Sequence, residues 1–301
     1  MKKQTIRTLA AATLLAATAA AQAAGSYAST RYPIVLNHGL WGWSSIAGLD
    51  HFYGVAKELR AQGADVHTTL VSGVNSTDLR GEQLVQQLQK ILAVTGAKKL
   101  NLIAHSQGSQ DARYAAAVMG ERIASVTAVH GVVFGSKTID MVRDANVPLA
   151  DTMAAAFGSL IGLISGGGLL PQDGAAMLES ISTEGSARFN ARFPAGVPTR
   201  RCGPGAAQVN GTRYYSWMGT SINTNFFDLS DYAFMALSAP FKGAPSDGVV
   251  GRCDAHLGQV IRDDYAMNHL DAVNQVAGAV GRTDPLALFR QHANRLKLAG
   301  L

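Results

Sequence analysis

Ser106 lies in the stretch KLNLIAHSQG, with Ala104 two residues before it and Gly108 two residues after. A serine hydroxyl is a poor nucleophile until a base takes its proton and its oxygen stands clear of the surrounding chain. A strand running through a tight turn into a helix meets the second need, and small residues at those two positions let strand and helix approach closely. The apolar LNLI before Ser106 and the helical pattern GSQDARYAAAVMG after it supply that context. The competing role for Ser106 is a plain helix cap. In the nucleophile reading, the backbone N–H of Gln107 faces the oxygen of a tetrahedral intermediate. The N–H of Leu40, in the loop NHGLWGW, is the candidate second donor.

Such a serine needs a base and an acid, following in the order Ser, Asp, His. Asp247 lies in the polar loop GAPSDGVVG, and His269 in YAMNHLDAVNQ. Among the downstream histidines, His130 follows Ser106 too soon for an acid to intervene, and His292 falls in a helical tail. His256 competes with His269 by position alone. The expected chemistry is proton transfer from Ser106 to His269 and then to a leaving alcohol, with Asp247 orienting the ring and stabilising its charged form.

The elements that must carry these residues alternate. YPIVLNHG, ADVHTTLVSG, KLNLIAH and ASVTAVHG are short apolar runs that predict strands, and RYYSWMG predicts a further one. Between them, helices are expected over about 50–62, over GEQLVQQLQKILAVTG with Leu84, Val85, Leu88, Ile91 and Leu92 on one face, and over 108–120. Strands alternating with helices predict an α/β fold, a mostly parallel sheet covered on both faces. There is no internal repeat and no linker dividing the chain.

The 301 residues suffice for one large core. The start, with Lys2, Lys3 and Arg7 ahead of an apolar run to about Ala21, predicts a signal peptide over 1–23, cut after Ala23 and leaving 24–301 as one domain. Its removal lowers the formal charge from +5 to +2, and no Lys/Arg cluster interleaved with aromatics follows, which excludes a nucleic-acid partner. In an exported chain the two cysteines, Cys202 and Cys253, most simply form one disulfide. The nearly uncharged DTMAAAFGSLIGLISGGGLLPQ is a core helix or an apolar cover hinged at Gly166 to Gly168, about 144–170. Trp41 and Trp43 either line an acyl or interface surface or simply pack.

Taken together, RYPIVLNHG, RGEQL, KLNLIAHSQG, STEGSARFNARFPAGVPT, YYSWMG, SDGVVGRC, IRDDYAMNHLDAVNQV and HANRLKLAG make the chain resemble the secreted true lipases of Pseudomonas and Burkholderia over nearly all its mature length. The resemblance implies an α/β-hydrolase fold and triacylglycerol hydrolysis, with the catalytic roles on Ser106, Asp247 and His269 in preference to His256. It implies the Cys202–Cys253 disulfide. It also implies one structural Ca²⁺, held by the carboxylates of Asp228 and Asp271 and the backbone carbonyls of Gln275 and Ala279. On residue type alone, both acids would be solvated surface groups. A lid over 144–170, an oil–water interface as the place of action, a periplasmic foldase and type II secretion come from the same resemblance, and a monomer is expected. The chain departs from the family's Gly-His-Ser-x-Gly-Gly at Ala104 and Ser109, and from Gly-x-Pro-His-x-Gly-Ser at HGVVFGS. Two alternatives stand beside the lipase reading. One is a carboxylesterase for soluble short-chain esters, and the other is an exported binding protein without chemistry.

Overall fold

The computed structural model describes residues 26–46, 49–145 and 170–301. The expected signal peptide and most of the expected lid lie outside the described residues. The runs read as strands become β1 (Ile34–Asn37), β4 (Val66–Thr68), β5 (Leu100–His105), β6 (Ile123–Val129) and β8 (Thr212–Gly219). β2 (Ser45–Ile46) and β3 (Leu49–Asp50) form a small separate ribbon, while β7 (Gln208–Val209) pairs antiparallel with β8. The main sheet runs β4-β1-β5-β6-β8, every neighbour parallel, with β9 (Gln259–Tyr265) added beside β8. β1, β5 and β6 are buried at every position, as a sheet covered on both faces requires.

Two helical layers supply that cover. On one face, α2 (Thr77–Thr95) and α3 (Gly108–Met119) set Leu84, Leu88, Ala112 and Ala115 against Leu100, Leu102 and Val126. Ser76 caps α2 by accepting from the Leu79 N–H, and Gly96 ends it at φ 66°. On the other face, α1 (Val55–Ala61) and the C-terminal α8 (Pro285–Leu298) pack Leu59, Phe289 and Leu296 against Leu36, Ile103 and Trp217.

Several elements were not anticipated. β9 escapes the apolar-run criterion because QVIRDDY carries charges and is partly exposed along its length. The short helices α4 (Lys137–Asp144), α5 (Gly174–Ile181), α6 (Thr183–Arg192) and α7 (Leu229–Leu237) sit outside the sheet sandwich. Of these, α4, α5 and α7 stand over the carboxyl ends of the strands, where α/β sheets place their ligands. Among the described residues, no helix is long and apolar enough to cross a membrane. Cys202 and Cys253 are joined in a disulfide, with Cα atoms 4.5 Å apart.

Candidate active site

Ser106 follows β5 directly and has φ 55°, the left-handed region that a residue with a Cβ seldom enters. Neighbouring bonds hold it there. Its N–H donates to the Val129 carbonyl, while its own carbonyl accepts from the Ser109 N–H at 3.0 Å and the Ser109 hydroxyl at 2.7 Å. Ser109, one of the departures noted above, therefore adds a bond to the turn. Gly108 permits the close approach, since a Cβ there would stand 2.6 Å from the His38 carbonyl oxygen. The serine is thus lifted to the carboxyl edge of the sheet with its Oγ free to react.

His269 Nε2 lies 2.9 Å from Ser106 Oγ, and His269 Nδ1 lies 2.7 Å from Asp247 Oδ2. The base loop and acid loop are also tied through the backbone, the His269 N–H donating to the Asp247 carbonyl at 3.0 Å. Asp247 is fully buried, and its Oδ1 accepts the N–H groups of Val249 and Val250 at 2.9 and 2.7 Å. Burial works to raise its pKa, but the facing charge of His269 and hydrogen bonds from His130 and His269 outweigh it. The carboxyl is held well below the usual range. His256 is not near Ser106: its ring bonds to the Gly203 carbonyl and to Asp263. His292 bonds to Thr127 on the covered side of the sheet.

A chain of histidines backs this constellation. His105 Nε2 donates to the His269 carbonyl at 3.0 Å, and the two rings pack 4.7 Å apart. Burial, with His269 beside it, keeps His105 neutral far below its ordinary pKa. His130, set aside above as a base, nevertheless reaches the acid, with Nδ1 2.8 Å from Asp247 Oδ2. A triad order counts only three partners, so sequence order could not flag a fourth.

The loop after β1, which carries Leu40, is held from below. The buried Arg80 donates to the carbonyl of His38 at 2.8 Å, to that of Ser72, and to Asp111 at 2.8 Å. Burial lifts the Asp111 carboxyl above its ordinary pKa, against the pull of the Arg80 charge. The His38 ring spans the loop, with Nδ1 donating to the Gly39 carbonyl and Nε2 accepting from the Val71 N–H. Among the described residues, the N–H groups of Leu40 and Gln107 donate to no backbone or side-chain acceptor. Their donors are therefore available to an oxyanion.

Above Ser106 and His269 opens a cavity of about 390 Å³ with strongly apolar walls. Its sides come from α4 (Ile139, Val142), α5 (Met177, Ile181) and α7 (Phe234, Leu237). Trp41 stands at its wall, 40% exposed. Trp43 instead donates to the Leu49 carbonyl and packs edge-on against His51, so it serves the small β2–β3 ribbon.

The carboxylates of Asp228 and Asp271 are buried rather than solvated, and each has one oxygen without a hydrogen-bond partner, Asp228 Oδ2 and Asp271 Oδ1. Burial, together with the negative charges of Asp231 and Asp228, pushes the Asp271 carboxyl up to about 6. Among the described residues, the backbone carbonyls of Gln275 and Ala279 accept no hydrogen bond. Two buried, mutually repelling carboxylates with orphaned oxygens, together with two unbonded backbone carbonyls, are a donor set a hard cation takes, so these residues fit a Ca²⁺ ion. His130, Asp247 and His269 also lie close enough to share a metal, but their short contacts are hydrogen bonds from the two rings to one carboxylate oxygen.

A parallel sheet with a strained serine at the end of a central strand, backed by histidine and aspartate, defines a serine hydrolase of the α/β type. The α/β hydrolase fold family model matches residues 32–219. The chain is 50% identical to the triacylglycerol lipase of Vibrio cholerae serotype O1, over 91% of this chain and 90% of that one. It is 42% identical to the triacylglycerol lipase of Pseudomonas fragi, over 91% and 98%. Among solved structures, the mature Bacillus licheniformis lipase BlEst2 shares the fold at a TM-score of 0.62 and 18% identity, covering 88% of this chain and 92% of that one. The chain belongs to the α/β-hydrolase family and, within it, to the bacterial triacylglycerol lipases.

Proposed function

We propose that the protein is an exported triacylglycerol lipase that cleaves acylglycerol esters through an acyl-enzyme on Ser106. The observation that carries this reading is the Ser106–His269–Asp247 hydrogen-bond chain at the floor of an apolar cavity. The Ser106 Oγ attacks the ester carbonyl as His269 Nε2 takes its proton, and Asp247 stabilises the resulting imidazolium. The N–H groups of Leu40 and Gln107 hold the oxyanion. His269 then protonates the departing glyceryl oxygen, and a water activated by the same ring releases the fatty acid.

A lipid surface as the place of action is supported by α7, whose inner side chains Phe234 and Leu237 line the cavity. Tyr232 and Met235 on the same helix are 48% and 51% exposed, and Phe226 and Phe227 just before it are 77% and 86% exposed. Apolar side chains continuing from cavity wall to outer surface suit a water-insoluble substrate. The 144–170 segment acts as the lid in this reading. A single Ca²⁺ held by Asp228, Asp271 and the carbonyls of Gln275 and Ala279 pins the loop that carries His269. Removal of residues 1–23, a foldase in the periplasm, type II secretion and a monomeric enzyme complete it.

The test follows hydrolysis of a short-chain ester across its solubility limit, then of emulsified long-chain triacylglycerol, for the parent and Ser106→Ala. A parent rate that climbs as emulsion forms, with the variant folded and down by several orders of magnitude, is the expected result. Saturation below the solubility limit with no cleavage of emulsion would make the protein a carboxylesterase. Near-parent turnover by the variant would end the serine mechanism.

A further inference from the structure

We propose that His130 is a positioning residue for the catalytic acid, a second imidazole that fixes the Asp247 carboxylate in the plane and orientation His269 requires. The proposal rests on the triad reading above, since His130 acts only through Asp247.

His130 opens the HGVVFGS stretch, the largest departure from the family pattern, and it is fully buried just past the end of β6. Its backbone N–H donates to the Trp217 carbonyl of β8 at 3.0 Å. The Gly219 N–H, two residues further along β8, lies 2.9 Å from His130 Nε2. A peptide N–H can only donate, so Nε2 carries a lone pair and the ring proton sits on Nδ1. That proton points at Asp247 Oδ2, 2.8 Å away. The tautomer is therefore set by the sheet rather than by the acid, and His130 is a standing donor.

Asp247 Oδ2 thus accepts from two imidazoles at once, His130 at 2.8 Å and His269 at 2.7 Å, while Oδ1 accepts the two loop N–H groups of Val249 and Val250. Four donors fill a carboxylate's acceptor sites and leave it no freedom to rotate. Asp247 itself sits on a loop that is closed on itself by a bridge from Ser246 to Gly251 and by the Asp247 N–H donating to the Val250 carbonyl. His130 links that loop directly to the ends of β6 and β8. The ring is not among the cavity-lining residues, so it does not face substrate there.

The first measurement needs no variant. Proton NMR of ¹⁵N-histidine-labelled enzyme is expected to show His130 protonated at Nδ1 only, with its N–H and that of His269 both shifted downfield by the shared carboxylate. A His130 ring protonated at Nε2 instead would overturn the proposal. The second compares His130→Ala with His130→Asn on a dissolved short-chain ester. Asparagine keeps an N–H donor at a similar reach and tolerates the φ of 47° found at this position. The alanine variant is expected to lose kcat on the order of tenfold or more with KM within about twofold, because only the base's orientation is degraded. It should also lose one downfield resonance and shift the other. Asparagine should restore most of the rate. A folded alanine variant with parent kcat, or an asparagine variant no better than alanine, would reduce His130 to packing. A Ser106→Ala variant that retained activity would instead remove the underlying triad reading while leaving the NMR result intact.

Discussion

A Cβ built on Gly39 would stand 2.6 Å from the Cβ of Ser106 and 3.2 Å from its Oγ. Real Cβ contacts do not come so close, and Ser106 cannot retreat, because its backbone is bonded to Val129 on one side and Ser109 on the other. Replacing Gly39 with alanine should therefore displace the nucleophile or the oxyanion loop, either of which misaligns the reacting atoms. A displacement of about 1 Å can cost about 10²-fold in rate. Gly39→Ala is expected to fold, melt a few degrees lower and lose kcat by roughly that factor. Titration of active sites with a serine-directed phosphonate, alongside kcat, checks it: an unchanged labelling rate would show the elbow accommodates the methyl.

Much of this arrangement is legible in the sequence. Ser106 announces itself because the elbow is local: strand, small residue, serine, small residue and helix all fall within one short window. Asp247 and His269 were reachable by order and loop character, but choosing His269 over His256 took the family resemblance, since each is a histidine in a polar stretch. Sequence order rules His130 out as the base, yet β6 and β8 pair Val129 with Trp217 and so deliver its ring to Asp247. Register between distant strands is not written in either strand. On residue type alone Asp228 and Asp271 read as surface acids, and only the family resemblance points the other way, because only tertiary packing buries them. β9 gives no such signal, because an edge strand needs no continuous apolar run.

Buried neutral histidines make the fold acid-sensitive. His292 is almost fully buried; Arg295 can only donate, so the ring accepts at Nδ1 and gives its Nε2 proton to Thr127. Burial, with the Arg295 charge beside it, lowers its pKa from 6.5 to about 3. The unfolded chain therefore takes up the proton first as pH falls. His292's contribution is fully present above pH 6.5 and is lost progressively down to about 3, at roughly 1.4 kcal/mol per pH unit. His51, lowered to about 3 by burial and by His269, adds to the same slope. His292→Gln, which can still donate and accept, should be somewhat less stable than the parent at pH 7 but lose stability less steeply between pH 6 and 4. Urea unfolding at several pH values measures both slopes, and equal slopes would exclude His292 as a source.

The calcium reading carries a pH signature with the opposite sign. In the ion-free protein the Asp271 carboxyl is pushed from 3.8 to about 6, first by burial and then by Asp231 and Asp228. An acid whose folded pKa is raised holds its proton more tightly in the native state, so stability falls as pH rises through this window. The loss is complete above about pH 6 and amounts to roughly 3 kcal/mol. A bound divalent ion reverses the balance, because it binds the ionised oxygens and only in the folded chain. The melting temperature in chelator should therefore drop between pH 4.5 and 7.5 relative to the same protein in Ca²⁺, and the gap should widen as pH rises. Asp271→Asn keeps a side-chain oxygen to accept the Asn268 N–H but cannot ionise. In that variant the chelator-dependent gap should shrink to a small, pH-independent remainder. A parent whose melting temperature is indifferent to chelator at pH 7.5 would remove Asp228 and Asp271 from any metal role, and would leave their orphaned oxygens to be satisfied by water.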